Sequence, residues 1–530
     1  MAVTLRAARE ARHVPNVRSD GAPCKELAWF PFRRCRRDGR LDDVVDVPKP
    51  SLQVTSDDLR GAVAGQWIVP PAGPMLLDGV GTDTREDLRG RLFVALRGDA
   101  HDAHAFLEQA VAAGARAALV DRKANGYARP AGLPLLEVGD TRVALGDLAR
   151  WWRGRLRGKV VAITGSSGKT TTRRVVHAAL GSVMEGTASP KSFNNDIGVP
   201  LTILGASSSD GYLVAEIGMN RPGEILPLAT MAAPHVTIVT MAGRAHLGGM
   251  GSVEAIVREK ASIAGALPTM GVAIVNGEQS ELVAAVEAVA RPGVRVVTFG
   301  RTEGCMWRLV DRAPEGDGQR IEVREPDGTA WSSTLGLPGD YNAMNALAAV
   351  TCARMLGVPA DAIARALAGV GPESMRMVRQ EVGGMVVFND AYNANPDAVQ
   401  AALRAFAELA AGAPRRVAVL GEMLELGAES EALHAEVGRA VGAAGVGLGI
   451  FVGPLARPGA EAARAAGVPE VLAVEALDDA GIGAIRAALR PGDRLLLKGS
   501  RGSRMERVVE ALGGAAAGAA RGPVPAVEAR

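Results

Sequence analysis

Val160-Val161-Ala162-Ile163-Thr164-Gly165-Ser166-Ser167-Gly168-Lys169-Thr170-Thr171 is the stretch on which the reading of this 530-residue chain turns. Four apolar residues, three of them β-branched, predict a buried strand. Small residues then form a turn, and Thr172 to Leu180 reads as a helix. Strand, glycine-rich turn and helix start together place backbone N–H groups and a helix N-terminus around a phosphate chain. Lys169 has the charge to neutralise the outer phosphates, and the Thr170 hydroxyl is a ligand for Mg²⁺. The general phosphate-loop pattern has a glycine where Ile163 stands, so the turn here is shorter: Gly165-x-x-Gly168-Lys169-Thr170. A plain glycine-rich turn is the alternative, but such a turn does not require Lys-Thr-Thr directly after its second glycine.

The length allows about three domains. Sixty basic residues against 58 acidic ones leave the chain nearly neutral, so no nucleic-acid partner is expected. Hydrophobic residues make up 48% with aromatics only 4%, a composition suited to close helix–sheet packing in an α/β protein. Cys24, Cys35, Cys305 and Cys352 form no CxxC pair, so a disulfide framework or metal cluster is a poor reading and a cytoplasmic location is expected. The uncharged run Ile225 to Gly243 is broken by Pro227, Pro234 and His235. It predicts a helix end and then a strand from Val236 to Thr240, not stable membrane insertion.

Residues 1–51 read as a disordered extension, with ten Arg or Lys against four acids in the first forty. Residues 52–156 read as a small α/β domain, with Thr82-Asp83-Thr84-Arg85 before a strand at Leu92 to Leu96 and a polar loop at Arg97 to Phe106. Residues 157–373 form the central domain. Within it, Asn194 and Asn195 lie in a polar loop before a short helix. Glu216 ends a strand, where α/β sheets gather ligands. His246 follows the strand after that, and Lys260 lies on the next helix. A Thr hydroxyl, a carboxylate and a His, each placed after a different strand, are a set able to surround magnesium beside a triphosphate. Taken singly, each is more often structural. Residues 303–335 read as a β-rich insertion, and Asn342 and Asn345 lie one turn apart on a helix.

Residues 374–513 alternate strands with helices, which predicts a Rossmann-like parallel sheet. No G-x-G-x-x-G is present, so a dinucleotide is not indicated. Pro396 falls at a helix start, where its missing donor costs nothing. Lys498-Gly499-Ser500-Arg501 reads as a basic loop suited to an anion, and residues 514–530 as a disordered tail.

These motifs resemble the Mur ligase family over roughly residues 53–512. The resemblance rests on Thr82–Arg85, Gly165–Thr171, Asn194–Pro200, Glu216–Asn220, Ala245–Leu247, Tyr392–Pro396, Gly421–Gly427 and Lys498–Arg501. It implies three α/β domains: a small N-terminal one for the UDP part of a substrate, a central P-loop ATPase with a mostly parallel sheet, and a C-terminal Rossmann-like one. It implies ATP-dependent amide formation between UDP-MurNAc-tripeptide and D-alanyl-D-alanine through an acyl phosphate, by a monomer. Lys169, Glu216, His246 and Lys260 are the implied catalytic group. Thr170, Glu216, His246 and a carbamylated Lys260 would ligand two Mg²⁺ ions. The implied ATP contacts are Gly165 to Thr171, Asn342, Asn345, Arg376 and Asp390. Thr82, Asp83, Thr84, Arg85, Asn194, Asn195, Tyr392, Asn393 and Lys498 are the implied substrate contacts.

Four positions depart from the family pattern: Met241 for an Asn, Tyr341 for a His, Asn389 for the first acid of an Asp-Asp pair, and Ser262 for a Glu. Three alternatives stay open: another Mur-type ligase, a folylpolyglutamate synthetase-like ligase, or a nucleotide-binding protein without turnover.

Overall fold

The structure, a computed structural model, describes residues 52–513 except 99, 100 and 125. The expected extension and tail lie outside the described residues. A two-stranded ladder pairs Val54–Thr55 with Leu76–Leu77, and three larger sheets carry the rest of the described residues. The first has five strands in the order Gln66–Val69, Leu135–Val138, Ala117–Asp121, Leu92–Val94, Val80–Gly81, with only the first edge antiparallel. In the polar loop beside it, Asp102 caps the turn Ala103–Phe106 and holds Nδ1 of the buried His104, whose Nε2 accepts the Asp121 N–H at 2.8 Å. That histidine is a structural staple.

The central sheet has nine strands. From Gly186–Ala188 it runs through Tyr212–Glu216, Lys159–Thr164, Val236–Val239, Val272–Asn276 and Arg295–Gly300, all parallel. Trp307–Glu315 joins parallel to Arg295–Gly300, and Gly318–Arg324 and Ala330–Leu335 then continue the same sheet antiparallel. The expected insertion is therefore an extension of the central sheet. Lys159–Thr164 sits in the interior for a physical reason: Val160 and Ala162 face one apolar core, Val161 and Ile163 the other. A continuous apolar run suits a strand covered on both faces.

The C-terminal sheet has six strands in the order Val378–Val382, Met385–Asn389, Asp493–Lys498, Arg415–Gly421, Leu448–Val452, Glu470–Val474, parallel apart from the first. Helix Thr141–Arg153, capped by the Asp140 carboxylate, joins the first domain to the second. It lies on helices Gly198–Leu204 and Ile225–Ala232. Leu145, Leu148 and Trp152 are buried there, and the Trp152 indole N–H donates to Ala206 O at 2.9 Å. Arg153 donates to Ala232 O and Ala233 O, the end carbonyls of the second helix.

Candidate active site

Two parallel strands flank the phosphate-loop strand, so three carboxyl ends open on one place. There the helix begins at Lys169, earlier than its sequence pattern predicts, because Gly168 adopts a left-handed φ of +84° and turns the chain directly into it. The Gly168 Cα lies so close to the Asn345 side chain that an added Cβ would overlap its Oδ1. Asn342, one turn earlier, donates to Pro338 O at 2.7 Å, so it fixes the start of its own helix.

Thr170 and Glu216 meet at the centre. The Thr170 hydroxyl donates to Glu216 Oε2 at 3.0 Å, and Asn194 Nδ2 donates to Oε1 at 2.9 Å. Glu216 is 1% exposed. Arg173 Nε lies 3.7 Å from Oε2, which supplies the countercharge that a buried carboxylate needs. Arg376, from the C-terminal domain, donates to Thr170 Oγ1 at 3.0 Å and lies 4.0 Å over the Tyr392 ring. The Tyr392 hydroxyl reaches Ser192 Oγ at 2.5 Å. Two domains thus meet over the loop.

Lys169 Nζ donates to Gly165 O at 2.7 Å, curled over its own turn. Burial pushes its pKa down; Glu216 opposes the shift and the Arg376 charge adds to it. Lys260, 1% exposed, is held well below an ordinary lysine by burial and then by the Lys169 charge. Its amine has no hydrogen-bond or ion-pair partner among the described residues. Glu259 next to it is engaged elsewhere, accepting the Gly223 and Ile225 N–H groups at 2.8 Å.

The remaining expected residues divide. His246, at a left-handed φ of +61°, turns Nδ1 to Glu425 of the C-terminal domain. It does not join Thr170 and Glu216, and no group of three His, Cys, Asp or Glu able to hold a metal is gathered among the described residues. Asp83 pairs with its own Arg85 at 2.6 Å, on a loop whose strand touches helix Gly198–Leu204. Asn195 Oδ1 accepts the Gly198 N–H, capping that helix. In the loop expected to be basic, Lys498 points inward, 2.6 Å from Asp390 Oδ2 and 3.0 Å from Asn393 O, while Arg501 and Arg504 stay exposed.

Family models match in chain order: "Mur ligase family, catalytic domain" over residues 77–153, "Mur ligase middle domain" over 163–353, and "Mur ligase, glutamate ligase domain" over 375–501. A UDP-N-acetylmuramoyl-tripeptide–D-alanyl-D-alanine ligase of Escherichia coli is 35% identical over 478 residues, spanning 87% of this chain and 98% of that protein. The chain belongs to the Mur ligase family. Among solved structures, MurF from Acinetobacter baumannii superposes with a TM-score of 0.78 at 29% identity, covering 87% of this chain and 99% of that one. MurF from Thermotoga maritima, in complex with ADP, gives 0.70 at 27% identity over 82% of this chain and 96% of that one.

In this Mur ligase the four departures are absorbed locally. Met241 contributes its backbone, accepting the Ser166 N–H at 2.9 Å. Tyr341 is partly buried, and burial followed by the Asp390 charge raises its pKa. Asn389 Oδ1 accepts the Ala391 N–H, while its buried Nδ2 finds no partner. Ser262 donates to Glu259 O at 2.7 Å. The sequence reading missed Arg173, Arg244 and Glu425. Arg173 was accessible, since it stands one helical turn after Lys169 and so faces the same side. Arg244 and Glu425 act across the domain boundary.

Proposed function

We propose that this chain joins D-alanyl-D-alanine to UDP-MurNAc-tripeptide at the expense of ATP, giving ADP and phosphate, in peptidoglycan precursor synthesis. The observation that carries the reading is the meeting of Thr170, Glu216 and Arg376: a phosphate loop and a carboxylate reached by a cation of the domain that brings the amine. ATP phosphorylates the terminal carboxylate of the tripeptide. The dipeptide amine then attacks that acyl phosphate, and the tetrahedral adduct collapses to amide and phosphate. Such chemistry needs positioning and charge neutralisation more than covalent help.

The residues fit Mg²⁺. A hydroxyl and a carboxylate 3.0 Å apart are hard oxygen donors of the kind magnesium takes with phosphate oxygens. Held by Thr170 and Glu216, Mg²⁺ would supply neutralisation of the charge that develops on the transferred phosphoryl group. Lys260 fits a carbamate, because burial moves its pKa down, the direction that favours the neutral amine needed to attack CO₂, and it has no hydrogen-bond or ion-pair partner among the described residues. The adduct would turn this position into a carboxylate ligand for a second ion, with His246 Nε2 as the nitrogen donor. Lys169, Asn345 and the loop amides would hold the triphosphate; Tyr392, Asn393 and Asp390 would face the dipeptide.

The working division is 52–156 for the UDP part, 157–373 for ATP and 374–513 for the dipeptide, in a monomer acting in the cytoplasm. No helix among the described residues is long and apolar enough to cross a membrane. The test is phosphate release measured with and without D-alanyl-D-alanine in the presence of UDP-MurNAc-tripeptide and ATP. Release that ignores the dipeptide, or none at all, counts against the reading.

A further inference from the structure

The loop after strand Val236–Val239 is tied to both of its neighbours. On one side is the phosphate loop. Ser166 N–H donates to Met241 O, its hydroxyl donates to Gly243 O at 3.0 Å, and Gly243 N–H returns a bond to that hydroxyl at 2.9 Å. On the other side is the C-terminal domain, gripped by Arg244. Its backbone N–H reaches Asp397 Oδ2 at 2.7 Å, and Nε and Nη2 reach Oδ1 at 3.0 and 2.7 Å. Nη1 and Nη2 also take both oxygens of Glu436 at 2.7 and 2.9 Å. A third side chain, Gln400, steadies Glu436 through a 2.6 Å bond.

The placement of these carboxylates matters more than their number. Asp397 is in the first turn of helix Pro396–Leu409, directly after the cap Asn395. That helix starts where the loop with Asp390, Tyr392 and Asn393 ends. Glu436 is on the adjacent helix Ser430–Ala443. Gly243 lets the grip form, since a Cβ there would stand 2.5 Å from Asp397 Oδ2. Isolated exposed ion pairs contribute little, but bidentate forks sharing one guanidinium are the exception. All three side chains are only about one-third exposed.

We propose that Arg244 is a positioning residue for the ligation step. It holds the acceptor-binding loop 390–395 in register with the phosphate loop, through Asp397 and Glu436 on one side and Gly243 and Ser166 on the other. This rests on the ligase reading above. Displacement of a reacting group by about 1 Å costs on the order of 100-fold in rate. A slackened grip therefore falls chiefly on the dipeptide's parameters, because the amides around the phosphates are made within the central domain and Arg376 is the C-terminal side chain that reaches Thr170 beside them.

The experiment uses the full chain with Arg244→Gln, Arg244→Lys and Asp397→Asn. Arg244→Gln is expected to lower kcat/KM for the dipeptide by roughly 10- to 100-fold, with part of the loss in KM. The equilibrium Kd of a fluorescent ATP analogue should stay within about twofold, since no contact of Arg244 is to the loop that holds phosphate. Arg244→Lys should recover little, because an ammonium keeps the charge and loses the fork. Asp397→Asn should fall between wild type and Arg244→Gln, and it serves as the reporter if Arg244→Gln does not fold. Unchanged dipeptide parameters in folded variants overturn the proposal, as does a parallel loss of nucleotide affinity, which would mark a local prop of the phosphate loop. The ligase reading fails separately, by absence of dipeptide-dependent phosphate release from the wild type, and the proposal then falls with it.

Discussion

Replacing Gly168 with Ala tests the phosphate loop at its tightest point. The backbone there has φ +84°, and a left-handed conformation costs an L-residue about 1–2 kcal/mol. The new Cβ would overlap Asn345 Oδ1 and stand 2.9 Å from its Cγ. Asn345 is 8% exposed on helix Asp340–Met355, so it can yield only by leaving its rotamer, at about 0.5–1.5 kcal/mol. The two terms add to about 1.5–3.5 kcal/mol. For a unit of this size that is a fall in Tm of about 3–14 °C. Calorimetry of the apo protein reads that number directly, and ATP affinity should fall with it because the amides after Gly168 are re-aimed. Adding Asn345→Ala should return the rotamer share of stability but not the backbone share. A Gly168→Ala protein with unaltered Tm and unaltered ATP affinity would refute both the strain and the cradle.

Three further outcomes follow from the geometry. Lys498→Met strands the Asp390 carboxylate, 15% exposed, and should destabilise the C-terminal domain by about 3–5 kcal/mol in denaturant unfolding, with Asp390→Asn in the same chain restoring most of it. His235 is pushed down to about 4 by burial and then by Lys159 and Arg153, and its Nδ1 accepts the Val160 N–H at 3.0 Å. Between about pH 6.5 and 4 the unfolded chain takes the proton and the native ring does not, so stability falls as pH falls through that window, by about 1–3 kcal/mol after screening. His235→Gln should flatten this part of a pH–Tm curve. Lys260→Ala should lose dipeptide-dependent phosphate release and regain part of it with a small carboxylate; full activity without one excludes a carbamate role.

Much of the fold was legible because burial leaves a direct mark on composition. Val160 to Ile163 could only be an interior strand, and the residues after it could only be a tight turn. The edges were less legible. Val378–Val382 reads V-R-Q-E-V, a polar strand at the rim of the sheet whose pattern looks like loop, and edge strands carry charge for good reason. Glu470–Val474, at the other rim, was also missed, although its E-V-L-A-V is largely apolar. In the site, Thr170 and Glu216 were legible together because Glu216 ends one strand and Thr170 opens the helix that follows its parallel neighbour, so topology alone brings them close. Arg244 was not, since its partners lie 153 and 192 residues away on helices whose docking no local pattern encodes. The partner of Lys498 was hidden for a related reason: Asp390 stands 108 residues before it.

The two domain seams differ in kind, and the difference bears on the order of events. The N-terminal domain meets the central one through helix Thr141–Arg153, with Leu145, Leu148 and Trp152 buried. Parting it would expose side chains whose burial contributes about 1.5–3 kcal/mol each. The C-terminal domain meets the central one through Arg244 with Asp397 and Glu436, Arg312 with Glu408, His246 with Glu425, and Arg376 with Thr170, over a buried apolar cluster that takes in Leu247 and Met250 of the one and Phe406, Met423 and Leu426 of the other. The exposed single pairs among them contribute about 0–1 kcal/mol each, and the Arg244 forks hold more, but all of them are open to screening by salt. On the ligase reading proposed above, salt-sensitive contacts therefore guard the dipeptide's side and apolar ones the UDP side. The consequence is measurable: raising ionic strength should loosen the dipeptide's KM well before it affects binding of the UDP substrate, because salt screens the second seam and leaves the first intact.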